Sequence, residues 1–145
     1  MTNESNINVS VRQFVTALIE NSAIKTQTTD YIEYAYQTGW LEDMDVTGSN
    51  EPLLRKTAAR IAHEFMRLEL HEPDSENVNA SDKLRDLYDC RICTKHIMQA
   101  VTKGIMEGYY ITDSLYLFGI NDKITYDEMH AIINRVFHHT FRINT

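Results

Sequence analysis

Apolar residues recur every three or four positions in several separate stretches of the chain, which is the spacing of amphipathic helices. In the first stretch, Ser10 precedes the apolar stripe and Gln13 follows three positions later, as in a capping box. The stripe consists of Val11, Phe14, Val15, Leu18 and Ile19. The pattern therefore predicts a helix from about Ser10 to Asn21.

Two further helices are predicted over residues 30–39 and 50–70. Gly39 stands just past the first of them, where a left-handed residue commonly ends a helix. Asn50 can cap the second, with a carboxylate and a proline in its first turn, where both are favourable. The acidic residues of the intervening loop resemble a weak calcium loop, although a solvated face explains them more simply: Glu42, Asp43 and Asp45.

The second half of the chain repeats this layout. A short helix is predicted over 81–89 and a stronger one over 90–104. The buried face of the stronger helix is predicted to contain Ile92, His96, Ile97, Ala100 and Val101. The last helix opens with Thr125 and Glu128, a second capping box, and residues 138–145 read as a tail. Residues 109–118 alternate weakly, so we expect at most a short two-stranded element in an all-α fold.

These elements form repeated helix–loop–helix units. Ile32, Ala35 and Gly39 align with Ile97, Ala100 and Gly104, and the following helices align as well. We predict a single domain over 1–145, with a partial repeat at 9–28, a second at 29–72 and a third at 81–139. Units of this size cannot bury an apolar face alone, so neighbours are expected to pack on each other.

Composition narrows the choice of partner. The 145 residues are 43% hydrophobic and 24% charged, and the formal charge is −7. This balance is typical of a globular protein and argues against nucleic acid or an anionic membrane surface as the main partner. No apolar run is long enough to span a membrane, so no membrane insertion is expected. The N-terminus does not resemble a secretory leader. We expect a cytoplasmic location if the chain is complete as given, and a location at the cell wall or surface if a leader precedes it.

Cys90 and Cys93 form a CxxC motif, with His96 three residues later. Three interpretations are open. The three residues could bind zinc, with His63 or His71 completing the site. A cysteine in the first turn of a helix could have a lowered pKa and exchange disulfides. The simplest interpretation is that both cysteines are small buried residues, and no cofactor is then required.

No phosphate-binding glycine loop and no ordered set of nucleophile, histidine and carboxylate is apparent, so the sequence favours a non-catalytic protein. A lone histidine such as His63, between apolar neighbours, is more often a hydrogen-bonded core residue than a ligand.

The repeat resembles the S-layer homology family. The segments that carry the resemblance are AYQTGWLEDMDVTGSNEPLLRKTAARI and AVTKGIMEG…LFGINDKITYDEMHAII, in which a helix ends at Gly and a later helix opens with a Thr-Arg-Ala-Glu-like signature. The family implies three units packed as a pseudo-threefold helical bundle. It also implies binding of cell-wall polysaccharide in Gram-positive bacteria through the grooves between units.

The resemblance assigns possible ligand-binding residues. The signature Arg falls on Val11, Arg55 and Tyr126 in the three copies, and its Glu falls on Gln13, Thr57 and Glu128. Arg55 is thus expected to hold an anionic group, since a guanidinium fork matches a carboxylate. Trp40 is expected to wall the groove and Glu128 to orient or cap. The alternatives are a cytoplasmic protein–protein interaction domain on the same scaffold and a CxxC zinc or thiol protein.

Overall fold

The computed structural model describes residues 7–143, and helices dominate this part of the chain. The helices are α1 Val11–Glu20, α2 Tyr31–Thr38, α3 Asp43–Thr47, α4 Arg55–Leu68, α5 Arg91–Thr102 and α6 Tyr126–Phe137. Strands β1 Tyr109–Thr112 and β2 Leu115–Leu117 form one antiparallel hairpin, and Asn79–Ser81 and His139–Phe141 are short 3₁₀ turns. A mostly helical fold with a small hairpin confirms the predicted fold class.

Three short extended segments meet where α1, α4 and α6 begin. Val9, Leu53 and Ile124 each stand two residues before the first residue of their helix. The Val9 N–H donates to the Ile124 carbonyl, the Ile124 N–H to the Leu53 carbonyl, and the Leu53 N–H to the Val9 carbonyl. Each of these hydrogen bonds is 2.9 Å long, so the three segments close a ring.

A second set of hydrogen bonds closes the ring in the opposite direction. The first residues of α1, α4 and α6 donate their N–H groups to Glu51, Asp122 and Ile7, respectively, over 3.2, 2.8 and 2.9 Å. We call segments 7–10, 51–54 and 122–125 the capping ring. A closed ring of three segments is compatible with the predicted pseudo-threefold bundle, and the packing of complete repeats around it stays a prediction.

The remaining helices pack around the three that leave the capping ring. α2 lies against α1, α5 lies against α4, and the 3₁₀ turn His139–Phe141 lies against α6. The largest fully buried side chains include those of Trp40, Phe14, Phe65, Phe118, Leu18 and Leu53. The core therefore draws on residues from both halves of the described chain, and the most extensive helix pair is α4 with α5.

The prediction of a C-terminal tail is wrong for residues 138–143, while 144 and 145 lie outside the described residues. The Ile143 N–H donates to the Gly104 carbonyl over 2.9 Å, and Arg142 forms two hydrogen bonds with Glu72. Gly104 has a φ of +75°, and a Cβ there would lie 2.3 Å from the Ile143 carbonyl oxygen. Only glycine permits this close approach, which brings residues 142 and 143 back onto the domain.

Several local predictions are confirmed. Ser10 and Gln13 form the expected capping box, and Gly39 ends α2 in the left-handed conformation, with φ +102°. Thr125 caps α6 by accepting the Glu128 N–H. These signals are local, so the sequence was sufficient to find them.

Other local predictions are wrong. Asn50 does not cap α4, which begins at Arg55 because residues 51–54 are extended in the capping ring. α3 replaces part of the expected loop, and turns replace the helix expected over 81–89. Ile92 is 72% exposed, and the neighbouring Cys93 is the residue of the first turn of α5 that is buried.

Candidate functional site

A polar cavity of about 240 Å³ lies between α4 and α5, beside the residues that follow α2. We call it the histidine groove. Its lining includes an aromatic ring and several ionisable side chains, those of Trp40, Arg60, His63, Glu64, Asp74 and His96. α4 contributes three of them, α5 contributes one, and Asp74 comes from the loop that follows α4.

A hydrogen-bonded chain of ionisable groups runs through this groove. His63 and His96 are 3% and 5% exposed. The two Nδ1 atoms are 2.8 Å apart, and His63 Nε2 lies 2.6 Å from an oxygen of Asp74. The packing of α4 against α5 thus brings together two imidazoles that are 33 positions apart in sequence.

Glu64 completes the cluster. Its Oε1 lies 3.9 Å from Nδ1 of both His63 and His96, and its other oxygen accepts a 2.6 Å hydrogen bond from Arg67. The donor atoms of the two histidines and Glu64 all lie within 4.8 Å of one another. Two imidazoles and a carboxylate at these distances could hold a metal ion.

The surroundings shift the ionisation of these groups. Burial, together with the nearby His63, lowers the pKa of His96 to about 4, which leaves this imidazole neutral at pH 7. Burial would raise the pKa of Asp74, but the hydrogen bond with His63 outweighs it, so the pKa is lowered. The pKa of Glu64 is likewise lowered, because hydrogen bonding to Arg67 outweighs burial. The groove therefore holds ionised carboxylates beside a neutral imidazole.

A buried ion pair supports one side of the groove. Both terminal nitrogens of Arg60 donate to Asp45 over 2.7 Å, and Asp45 also accepts the Glu42 N–H. Both residues are buried. The interpretation of this acidic loop as a solvated face is therefore wrong for Asp45, which fastens α3 to α4 through a partner 15 residues away.

The structure separates the three residues predicted to bind ligand. Trp40 lies in the wall of the histidine groove, but its ring is 1% exposed and its Nε1–H donates to Glu69. Arg55 and Glu128 do not line that groove and are paired with each other.

The guanidinium of Arg55 is occupied by protein acceptors. Its Nε–H donates to the Phe118 carbonyl over 2.7 Å, and its terminal nitrogens donate to Glu128 and to the Glu107 carbonyl. The group also lies 4.7 Å from the centre of the Phe118 ring. A sugar carboxylate could reach Arg55 only by displacing Glu128, so ligand binding by this residue stays a prediction.

The two cysteines are joined to each other. Cys90 is the N-cap of α5 and is half-buried, Cys93 is buried in its first turn, and a disulfide links them. Because bonded sulfurs are not thiolates, this form does not supply the predicted zinc site of Cys90, Cys93 and His96. His96 faces His63 instead.

Sequence reasoning missed Glu64 and Asp74, and it joined His63 to His96 only as one of two possible additional ligands of the predicted cysteine site. The sole signal was that two histidines fall on the buried faces of neighbouring amphipathic helices. No spacing rule links residues on different helices, so the cluster becomes visible only once α4 and α5 are packed.

No helix within residues 7–143 is long and apolar enough to cross a membrane. Comparison of the chain with protein-family models and with curated proteins finds no match, so the resemblance to S-layer homology domains stays a prediction.

Proposed function

We propose that this protein is a non-catalytic binding module of the S-layer homology type, which holds an acidic cell-wall polysaccharide in a groove between repeats. The observation that carries the proposal is the capping ring, in which three equivalent segments exchange backbone hydrogen bonds in cyclic order. A ring of this kind places helical units side by side, and the clefts between them are available to an extended polymer.

The histidine groove is the cleft that best suits such a ligand. It lies between α4 of the second repeat and α5 of the third, and Trp40 gives it an aromatic wall. Arg67 and Lys95 line it and are exposed, so their cationic groups can meet an acidic sugar without breaking the core. In this proposal the ion pair of Arg55 with Glu128 holds α4 against α6. Direct contact with the ligand would be an additional role for Arg55.

The test is co-sedimentation with purified Gram-positive cell-wall sacculi, before and after acid removal of the secondary polymer. We expect binding to intact sacculi and its loss after stripping. Lys95→Glu and Arg67→Glu should each weaken binding several-fold, because each introduces a repulsive charge beside the polymer.

Lys25→Glu is the matched control, since Lys25 is exposed and does not line the groove. Equal loss in Lys95→Glu and Lys25→Glu would indicate a general charge effect and would move the site away from the groove. A folded protein that binds neither preparation would overturn the proposal and favour a protein-interaction domain on this scaffold.

A second candidate function is thiol–disulfide exchange, favoured by the Cys90–Cys93 disulfide at the N-terminus of α5. The reduced pair would give two electrons and two protons to the disulfide of a partner. The partner would become a dithiol while the Cys90–Cys93 bond forms again. The accessible N-cap position of Cys90 suits an attacking thiolate.

This candidate is tested by mixing the reduced protein with a disulfide-bonded peptide and titrating the peptide thiols. Two free peptide thiols per chain are expected from the parent protein. Cys93→Ser should free at most one, because it stops at a mixed disulfide with Cys90 and cannot close the intramolecular disulfide. A peptide disulfide that survives an excess of the reduced parent would assign the bond a structural role.

A further inference from the structure

We propose that His63, Glu64 and His96 form a binding site for a divalent transition-metal ion, with Zn²⁺ as the best match, at the base of the histidine groove. The site differs from the one that the CxxC motif suggested: it contains neither cysteine, and it shares His96 and the optional ligand His63 with it. The proposal does not depend on polysaccharide binding, because its readout is the metal itself.

The positions of the donor atoms fit a metal ion. The two Nδ1 atoms and Oε1 of Glu64 form a triangle with sides of 2.8, 3.9 and 3.9 Å. A point equidistant from the three corners lies about 2.1 Å from each, which is the length of zinc bonds to nitrogen and oxygen. Tetrahedral angles would require the two Nδ1 atoms to separate by only about 0.5 Å.

The hydrogen bond to Asp74 prepares His63 as a ligand. When His63 donates its Nε2–H to Asp74, its Nδ1 presents a lone pair toward His96. A carboxylate behind a histidine in this way is the usual outer partner of a metal-bound imidazole. Asp74 therefore supplies orientation and negative charge without occupying a coordination position.

The contact between the two Nδ1 atoms needs either a metal ion or a proton between them, and without metal one neutral imidazole supplies that proton by donating its own Nδ1–H to the other. Two neutral imidazoles that both present Nδ1 lone pairs at 2.8 Å repel each other. A metal between them turns this repulsion into two bonds, whereas a metal-free protein must place a proton there. The experiment below decides whether a metal ion or a proton lies between the two Nδ1 atoms.

The charged groups around the cluster allow a divalent ion. Arg60 is neutralised by Asp45 and Arg67 by the second oxygen of Glu64, while Asp74 and Glu64 face the histidines. Lys95 also lines the groove, but it is exposed, so solvent screens its charge. Imidazole nitrogens favour Zn²⁺, Ni²⁺ or Co²⁺ over Mg²⁺ and Ca²⁺, and three protein ligands leave a fourth position open toward the groove.

The experiment starts from the full chain, stripped with a chelator and then titrated with ZnCl₂. Bound metal is measured by elemental analysis and stability by thermal unfolding. We expect about one zinc ion per chain and a rise in Tm with zinc, as ligand binding to the folded state requires. His96→Gln should lose the ion, and Asp74→Asn should weaken binding by about 10–100-fold.

His130→Gln is the matched control, because His130 is exposed on α6 and lies outside the cluster. It should bind zinc as the parent does, and so should Cys90→Ser. A folded parent that binds no zinc, or a His96→Gln variant that binds it equally well, would overturn the site.

The spectrum of the Co²⁺-loaded parent keeps the test valid even if His96→Gln does not fold. Ligand-field bands without a thiolate charge-transfer band are expected from nitrogen and oxygen donors. A thiolate band would place the metal on Cys90 and Cys93 and would contradict the proposal.

Discussion

α1 and α4 leave the capping ring in the same way, but only α4 buries charged and polar side chains among its apolar ones. Val11 and Arg55 make equivalent backbone hydrogen bonds, so later positions in the two helices can be compared directly. By this alignment Thr16 stands where Arg60 stands, and Ile19 where His63 stands. The buried side chains of α1 are all apolar, whereas α4 buries two arginines and a histidine.

The difference in side-chain size explains how α4 accommodates these groups. Where α1 has the larger residues Phe14, Val15 and Leu18, α4 has the smaller residues Ala58, Ala59 and Ala62. Small side chains let α5 approach closely and leave room for polar groups that hydrogen-bond across the helix pair. Because the ring is made by the backbone, its hydrogen bonds do not restrict which side chains each helix buries.

The largest expected effect comes from breaking the buried charge pair of α4. Arg60→Met would leave Asp45 buried without its partner and lower the free energy of unfolding by about 3–5 kcal/mol. Thr16→Ala at the equivalent position of α1 should change it by less than about 0.5 kcal/mol. Urea unfolding of both variants checks the contrast.

The control for that prediction replaces both partners. Asp45→Leu combined with Arg60→Met should recover most of the loss, because no unpaired charge stays buried. A double variant as unstable as the single one would mean that the pair's shape matters more than its charge.

Arg55→Met addresses the second buried arginine of α4. It should lower the free energy of unfolding by about 2–3 kcal/mol, because the carbonyl of Phe118 loses its donor. The loss is smaller than for Arg60 because Glu128 is partly exposed and can be solvated. Chemical denaturation and sacculus binding are both measured. Unchanged stability with lost binding would instead support the predicted ligand role of Arg55.

Acid should destabilise the folded protein by protonating Glu72, which follows α4 and pairs with Lys103 and Arg142. Burial would raise the pKa of Glu72, but hydrogen bonds from Arg142 and Lys103 outweigh it and lower the pKa to about 2. Because the folded pKa lies below the ordinary 4.5, this stabilisation is complete above about pH 4.5 and is lost as the pH falls toward 2.

The test compares the pH dependence of unfolding in the parent and in Glu72→Gln. Between pH 5 and 2 the parent should lose about 2 kcal/mol more than the variant, after allowance for solvent screening. Glu20→Gln is the control on α1, where Glu20 forms no salt bridge with any residue in the described range 7–143. Parallel curves for the parent and Glu72→Gln would contradict this prediction.

The smallest expected effect concerns the helix caps, which stabilise α1 and α6 but not α4. α1 and α6 have side-chain caps at Ser10 and Thr125, whereas Leu54 gives α4 none. Ser10→Ala and Thr125→Ala should each cost about 1 kcal/mol in thermal or urea unfolding. A loss above about 2 kcal/mol would mean that these residues also hold the capping ring together.

The fold could be predicted from the sequence where its signals are local. The capping box at Ser10, the left-handed Gly39 and the short hairpin each depend on neighbouring residues alone. The capping ring escaped notice because its extended segments are short and pair with segments more than 40 positions away.

The candidate site was harder to predict for the same reason. Asp45 and Asp74 looked like ordinary loop carboxylates, because their partners Arg60 and His63 lie elsewhere in the chain. Hydrophobic periodicity identifies which face of a helix is buried, but it does not identify which two faces meet.

The capping ring also limits how this architecture can change in evolution. An open helical solenoid grows by adding repeats at its ends, where special terminal repeats shield the exposed core. In a closed ring of three segments each donor already has its acceptor, so no terminus is left for a fourth unit. Such a protein can diversify by exchanging side chains within one repeat or by joining whole domains in tandem, but not by lengthening the ring itself.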